Sequence, residues 1–192
     1  EVALFVTHSP DGKIKPHVRH YVEQLKKQGI DVWLLIAADR PFEDDEQWVT
    51  TVPKAVFIRE NKGFDFAAWA HVLRMERALY GCDIVYLLND SLFGPTNEDD
   101  FGRLIMRVRT SAADIVGLTD NHERGWHIQS YFLAIKQSAL RSFAFQKFII
   151  SIRSFDDKDD VINNYEVKFV PKMQAKGIKV EALFKAMSIH NP

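Results

Sequence analysis

The unbroken apolar run Ile84-Val85-Tyr86-Leu87-Leu88 stops abruptly at Asn89-Asp90-Ser91, and a second break follows at Gly94-Pro95. A run this short, with no polar alternation and turn residues at its end, reads as a strand buried on both faces, the kind found in parallel sheets. Parallel neighbours require a crossover connection of about a dozen residues or more, usually a helix, so this one stretch commits the chain around it to βαβ units. Its end delivers three oxygen-bearing side chains to the carboxyl edge of the sheet, where ligands bind in open α/β folds.

The remaining pattern agrees. Val2 to Thr7 is β-rich and leads into the turn His8-Ser9-Pro10-Asp11-Gly12. Val18, Tyr21, Val22 and Leu25 recur at helical spacing up to Gly29, and Asp31 to Ala37 is a second strand ending at Asp39. Phe42 to Val52 is acidic and predicts a short helix carrying Trp48. A third strand spans Lys54 to Ile58, and a helix runs from Phe66 past Ala78 to Gly81. Beyond Pro95, Thr96 with Asp99 reads as a capping signal for a helix carrying Phe101, Leu104, Ile105 and Val108. Ala113 to Leu118 and Ile128 to Ile135 read as strands, Gln137 to Ile150 as one helix, and Ser154 to Asp160 as an acidic connector. Tyr165 to Lys176 reads as a helix closed by Gly177, and Ile178 to Phe184 as the last strand. The expected class is α/β, with a mostly parallel central sheet flanked by helices in a single domain over residues 1–192.

Charge narrows the partners. Lys and Arg total 25 against 26 Asp and Glu, a net charge of -1, so nothing favours bulk attraction to nucleic acid or anionic membrane. Cys82 is the only cysteine, which excludes an internal disulfide and a cysteine zinc cluster. No apolar run is long enough to span a bilayer. Glu1 opens what reads as a strand with no initiator Met, which leads to the expectation of a domain excised from a longer protein, outside which flanking domains or membrane-associated partners could lie.

Three polar groups sit where strands end. Asn89, Asp90 and Ser91 suit a diphosphate held through Mg²⁺ or Mn²⁺ on Asp90, because hard cations take oxygen ligands and need few from the protein. The same residues also suit a turn capped by Asn and Asp side chains. Asn61-Lys62-Gly63-Phe64-Asp65 is a strand-to-helix junction. There Asn61 and Asp65 can bond a base, ribose or sugar hydroxyl, Lys62 can face phosphate, and Gly63 permits close backbone approach; the alternative is an ordinary turn with Asp65 at a helix N-terminus. The loop holding Asp120, His122, Glu123, Trp126 and His127 combines carboxylates and imidazoles, which accept protons, with an indole that can stack on a sugar. It equally fits a solvated loop with one anchoring aromatic. His17, His20 and His71 fit helix surfaces, and His190 lies near the terminus. The run Asp156, Asp157, Asp159, Asp160 lacks the Gly and terminal Glu of an EF-hand and reads as a solvated turn.

Together, Asn61 to Asp65, Leu87 to Pro95, and Val116 to Asp120 running on to His127-Ile128-Gln129-Ser130-Tyr131-Phe132-Leu133 resemble the rhamnan synthesis protein F family. The likeness covers most of the chain in order. It implies a GT-A-like (Rossmann-like) fold related in layout to the family 2 glycosyltransferases. By that likeness Asn89-Asp90-Ser91 stands where an Asp-x-Asp metal and diphosphate element is usual, with Asp90 as the surviving carboxylate. His8, Ser9 and Asp39 fall at nucleotide-facing positions. Glu166 is a candidate catalytic base, with Asp120 as its rival. The activity implied is transfer of a sugar, rhamnose among the candidates, from a donor such as dTDP-rhamnose to a glycan or lipid-linked glycan of a bacterial cell-surface polysaccharide. The acceptor side would use Trp126, His127 and Gln129, in the cytoplasm at the inner face of the cell membrane. The rival class is a GT-A-like module that binds nucleotide or glycan without chemistry, and the incomplete Asp-x-Asp element favours it.

Overall fold

A computed structural model describes residues 1–42 and 46–186. Strands β1 (Val2–Ser9), β2 (Asp31–Ala38) and β3 (Ala55–Glu60) alternate with helices α1 (Pro16–Lys27) and α2 (Glu46–Thr51). Helix α3 (Phe64–Met75) and a 3₁₀ turn (Arg77–Gly81) lead to β4 (Ile84–Asn89), and α4 (Glu98–Thr110) leads to β5 (Ile115–Asn121). Two strands follow, β6 (His127–Ile128) and β7 (Phe132–Lys136). Four helices come next: α5 (Gln137–Leu140), α6 (Phe143–Ser151), α7 (Lys158–Val161) and α8 (Val167–Gln174), with a π-helical turn (Ile162–Glu166) between the last two. Strand β8 (Val180–Phe184) closes the sequence of elements. The sheet order is β3-β2-β1-β4-β7-β5-β6, with β8 paired to β5.

Strands β1 to β4 are mutually parallel, as their helical crossovers require. Strand β7 runs antiparallel to both β4 and β5, because the link from β5 back to it is too short to cross the sheet. Every residue of β4 is buried. Strand alternation divides its side chains between two cores. Val85 and Leu87, with Leu4, Val6 and Leu35, face a layer of α3, α6 and α8 side chains that includes Trp69, Phe148 and Phe169. Ile84, Tyr86 and Leu88, with Ala3, Phe5, Leu34 and Ile36, face α1 and α4 through Tyr21, Leu25, Phe101 and Ile105. Burial of this kind is worth roughly 1.5–3 kcal/mol per large apolar side chain, which makes the sheet a stiff platform for whatever its carboxyl edge carries.

Several boundaries differ from the sequence expectation, each for a local reason. The cap of α4 is Asn97, one residue past Thr96, and its side chain accepts the Asp100 N–H. The helix from Phe66 starts two residues earlier and stops at Met75, and the span up to Gly81 tightens into the 3₁₀ turn. The expected strand over Ile128 to Ile135 is split. Gly117 leaves room for the Ile128 side chain, which a Cβ at 117 would meet at 2.0 Å, and β6 pairs with the end of β5 rather than continuing into β7. The expected helix Gln137 to Ile150 breaks at Ser142, which caps α6 by accepting the Phe145 N–H. Within Phe42 to Val52, residues 43–45 lie outside the described residues, as does His190. Among the described residues no helix is long and apolar enough to cross a membrane.

Gly63 carries a load that side chains cannot. It caps α3 with φ 74°, and a Cβ there would lie 2.8 Å from the Ser154 backbone. Gly63→Ala therefore combines left-handed strain with a clash that no rotamer change relieves, and is expected to destabilise the fold by about 2 kcal/mol or more. Urea unfolding midpoints of the two proteins measure it.

Candidate functional site

The carboxyl ends of β1, β2, β3 and β4 converge on one edge, and alternation decides which face each polar group takes. At the β4 end, Asn89 shares the face of Val85 and Leu87, so it meets α3. Its Nδ2 donates to Asp65 Oδ2 at 2.6 Å, while its Oδ1 accepts the Ser91 N–H at 3.0 Å. Asp90 takes the opposite face and meets the α1 side. Its Oδ2 accepts the Thr7 hydroxyl at 2.7 Å and the Lys15 ammonium at 2.7 Å. Two adjacent residues thus serve two separate groups. The amide at 89 also has a physical reason: a carboxylate there would face Asp65 at hydrogen-bond distance, and like charges that close repel strongly.

Asp65 is the most perturbed of these carboxyls. Removal from water raises its pKa from 3.8 to about 6; the charges of Asp90 and Glu166 push the same way, while the Asn89 hydrogen bond and Lys158 oppose it. The influence of Glu166 and Asp90 on one carboxyl places all three acids in a single neighbourhood. The backbone that delivers Asp65 is strained, with Phe64 at φ 54°, a left-handed value rare for a bulky residue.

A second row lies across β1 to β3. His8 Nε2 stands 2.6 Å from Asp39 Oδ2, and Asn61 Nδ2 is 3.1 Å from the same ring nitrogen. The His8 hydrogen bond, with Asn61 assisting, holds the Asp39 carboxyl below its ordinary range against the opposing effect of desolvation. Ser9 is buried and its hydroxyl donates to Lys13 O, closing the turn after β1. Lys62 is exposed and paired with Glu60 at 2.7 Å.

Glu166 ends the π-helical turn, a feature that widens a helix locally and recurs at functional sites. One of its oxygens accepts the Ser130 N–H at 2.8 Å. Its carboxylate lines a cavity of about 240 Å³ with His127, Gln129, Asn121 and Arg124. His127 is fixed there by its Nδ1, 2.8 Å from Gly125 O. Asp120 and Trp126 belong elsewhere. They line a separate cavity of about 490 Å³ with His122, Glu181 and Lys185. Both Asp120 oxygens are engaged, Oδ2 by the Trp126 indole N–H at 2.8 Å and Oδ1 by the Ala186 N–H at 2.5 Å. Burial pushes the Asp120 carboxyl up, but these hydrogen bonds outweigh it and hold it below its ordinary value. The loop read as one acceptor group is therefore divided between two cavities.

A divalent metal would meet a donor set that is already partly engaged. Asp90 Oδ2 already carries a hydroxyl and an ammonium, so a cation would have only the Oδ1 side of that carboxylate, and Asn89 Oδ1 is committed to Ser91. Among the described residues no group of three or more His, Cys, Asp or Glu is placed to hold a metal ion. The set already pairs the Asp90 carboxylate with an ammonium from within the chain.

A family model described as rhamnan synthesis protein F matches residues 34–191. The chain belongs to the rhamnan synthesis protein F family. An uncharacterised protein of Sinorhizobium fredii, y4gN, is 25% identical over 96% of this chain and 48% of its own length. Virulence protein VirA of Vibrio anguillarum is 29% identical over 67% of this chain and 42% of its own length. The chain thus spans about half the length, or less, of these curated relatives. Among solved structures, a CMP:2-keto-3-deoxy-manno-octonic acid synthetase complexed with CTP superposes with TM-score 0.53 at 13% identity, covering 97% of this chain and 90% of that one. A mannosyltransferase of Pyrobaculum calidifontis in complex with GDP-Man and Mn²⁺ superposes with TM-score 0.50 at 13% identity, covering 94% of this chain and 54% of that one. At that identity they establish the fold, which is GT-A-like.

In this family member, sequence reasoning missed Thr7, Lys15 and Ser130. Thr7 is an apolar-run residue until β1 is aligned with β4, where Val6 pairs with Asn89. Lys15 does carry a weak signal, a lysine directly before Pro16 between a strand end and a helix.

The raised Asp65 pKa has a stability consequence. The folded chain holds a proton up to about pH 6 that the unfolded chain releases near 3.8, so the stability of the protonated form is full below the lower value and lost as pH rises through the upper. Asp65→Asn keeps an acceptor for Asn89 and removes the titration. Between about pH 4.5 and pH 7.5 the variant is expected to gain about 2 kcal/mol relative to the parent, read from denaturant unfolding at both values.

Proposed function

We propose that this chain is the donor-binding and catalytic domain of a glycosyltransferase that moves a sugar from a nucleotide-diphosphate donor to a glycan or lipid-linked glycan acceptor during assembly of a bacterial cell-surface polysaccharide. Rhamnose, supplied as dTDP-rhamnose, is the donor sugar most in keeping with the family. The observation that supports this most is the convergence, on one sheet edge, of the His8–Asp39–Asn61 row, the Asp65–Asn89 pair and Asp90, with Glu166 close enough for its charge to bear on Asp65.

In this reading the row across β1 to β3 orients the base and ribose, and Asp65 with Asn89 holds the donor's sugar and phosphate region. Ser9 and Gly63 shape the backbone beneath the donor, and Ser91 and Lys62 flank it. His127 and Gln129 border the acceptor, while Trp126 acts through the loop it anchors. Glu166 is the base. The acceptor hydroxyl oxygen bonds to the anomeric carbon as the bond from that carbon to the diphosphate oxygen breaks, with the electron pair leaving on the phosphate. The hydroxyl proton passes to Glu166, and in-line attack inverts the anomeric centre. Asp120, with both oxygens engaged, holds the segment around Ala186 and the Trp126 ring instead.

A positioned base contributes about two to four powers of ten in rate. Glu166→Gln is therefore expected to lower turnover by that amount while donor affinity, measured by calorimetry, stays within a few-fold. Asp120→Asn is expected to keep turnover and lower thermal stability. Equal loss of turnover in Asp120→Asn alone would reverse the assignment. Binding of dTDP, UDP or GDP with no turnover by the parent protein across a panel of nucleotide sugars would favour the binding-module reading.

A further inference from the structure

We propose that Lys15 is the resident cation of this site: its ammonium, held by Asp90, receives the negative charge that develops on the departing diphosphate, and transfer proceeds without a divalent metal. The inference rests on the donor-site reading above and adds a residue to it.

The geometry around Asp90 carries the inference. The Lys15 ammonium and the Thr7 hydroxyl share one oxygen, each at 2.7 Å. Thr7 is buried, and the Asp90 side chain keeps 17% exposure against 38% for Lys15. The carboxylate is thus the inner partner and the ammonium the outer one, facing solvent at the strand ends. An ammonium carries three N–H donors, so one bond to Asp90 leaves others for a ligand.

The backbone fixes this arrangement. Lys15 is the N-cap of α1, extended at φ −60° and ψ 141°. Pro16 follows at the first helical position, and a proline restricts the preceding residue to that extended region. The side chain is thereby launched from the start of a 12-residue helix that has no acidic residue in its first turn. A divalent cation on the other Asp90 oxygen would share one carboxylate with the Lys15 ammonium, and like charges that close repel.

Charge balance points the same way. Asp65, Asp90 and Glu166 gather here, with Lys158 opposing their effect on Asp65. A nucleoside diphosphate brings further negative charge, and without Lys15 it would meet a carboxylate at Asp90. With Lys15 the pair is neutral and presents donors. As the anomeric carbon–oxygen bond breaks, an N–H of Lys15 bonds the phosphate oxygen that takes the electron pair. Lys15 itself neither gains nor loses a proton.

A preorganised donor aimed at developing charge is worth about two to three powers of ten in rate. The test compares the parent, Lys15→Met and Lys15→Arg by calorimetry with dTDP, UDP and GDP and their nucleosides, in EDTA and in Mn²⁺, alongside turnover. Parent affinity for the nucleoside diphosphate and parent turnover are expected to be the same in EDTA. Lys15→Met is expected to lose about tenfold or more in diphosphate affinity, keep nucleoside affinity, and lose about a hundredfold or more in turnover. Lys15→Arg retains most of both, which separates loss of charge from misfolding. If EDTA strips the diphosphate from the parent, or Lys15→Met binds it as tightly as the parent, the cation assignment is overturned while the glycosyltransferase reading stands. If the parent binds no nucleoside diphosphate in either condition, both fail.

Discussion

Strand β4 is paired along both edges and packed on both faces, and the rest of the site follows from how such a strand has to end. Its apolar residues divide by alternation between the α3–α6–α8 layer and the α1–α4 layer. The same alternation continues into the first polar residues. Asn89 goes to Asp65 on one face, and Asp90 goes to Thr7 and Lys15 on the other. A slip of one residue would exchange every partner, so pairing with β1 and β7 holds the site in register as firmly as it holds the core.

The polar groups so placed are unequal in their relation to water. Asp65 is half-buried and sits among other acids, and the loss of hydration lifts it toward neutrality. Asp39 lies at the open rim, where His8 keeps it ionised. Asp120 is buried yet doubly hydrogen-bonded, a carboxylate used to tie β5 to the Trp126 ring and to the chain after β8. Three residues of one type therefore have three different characters, set by their neighbours.

The polar stretch after β5 shows how far sequence order can mislead. Residues from Asp120 to Gln129 form one polar stretch, but β5 and β6 pair antiparallel through it, Asp120 opposite Ile128 and Asn121 opposite His127. Neighbours in the chain are thereby sent to opposite sides. His127 and Gln129 join Glu166, which arrives from a π-helical turn almost forty residues later through its bond to the Ser130 N–H.

The sequence by itself determined the α/β class, the parallel strands and the edge at which polar groups collect. Those depend on local periodicity and on turn signals such as Gly94-Pro95, which act within a few positions. It also marked Asn61, Asp65, Asn89, Asp90 and Glu166 as residues to watch. Only the tertiary structure decided their partners. That Lys15 rather than Lys62 reaches Asp90, that Asn89 is an amide because Asp65 stands opposite, and that Asp120 is bound up while Glu166 lines the cavity all depend on strand register and helix docking between residues dozens of positions apart. Such contacts leave no periodic trace in the chain, because distance in sequence carries no information about which face of a strand a distant side chain will meet.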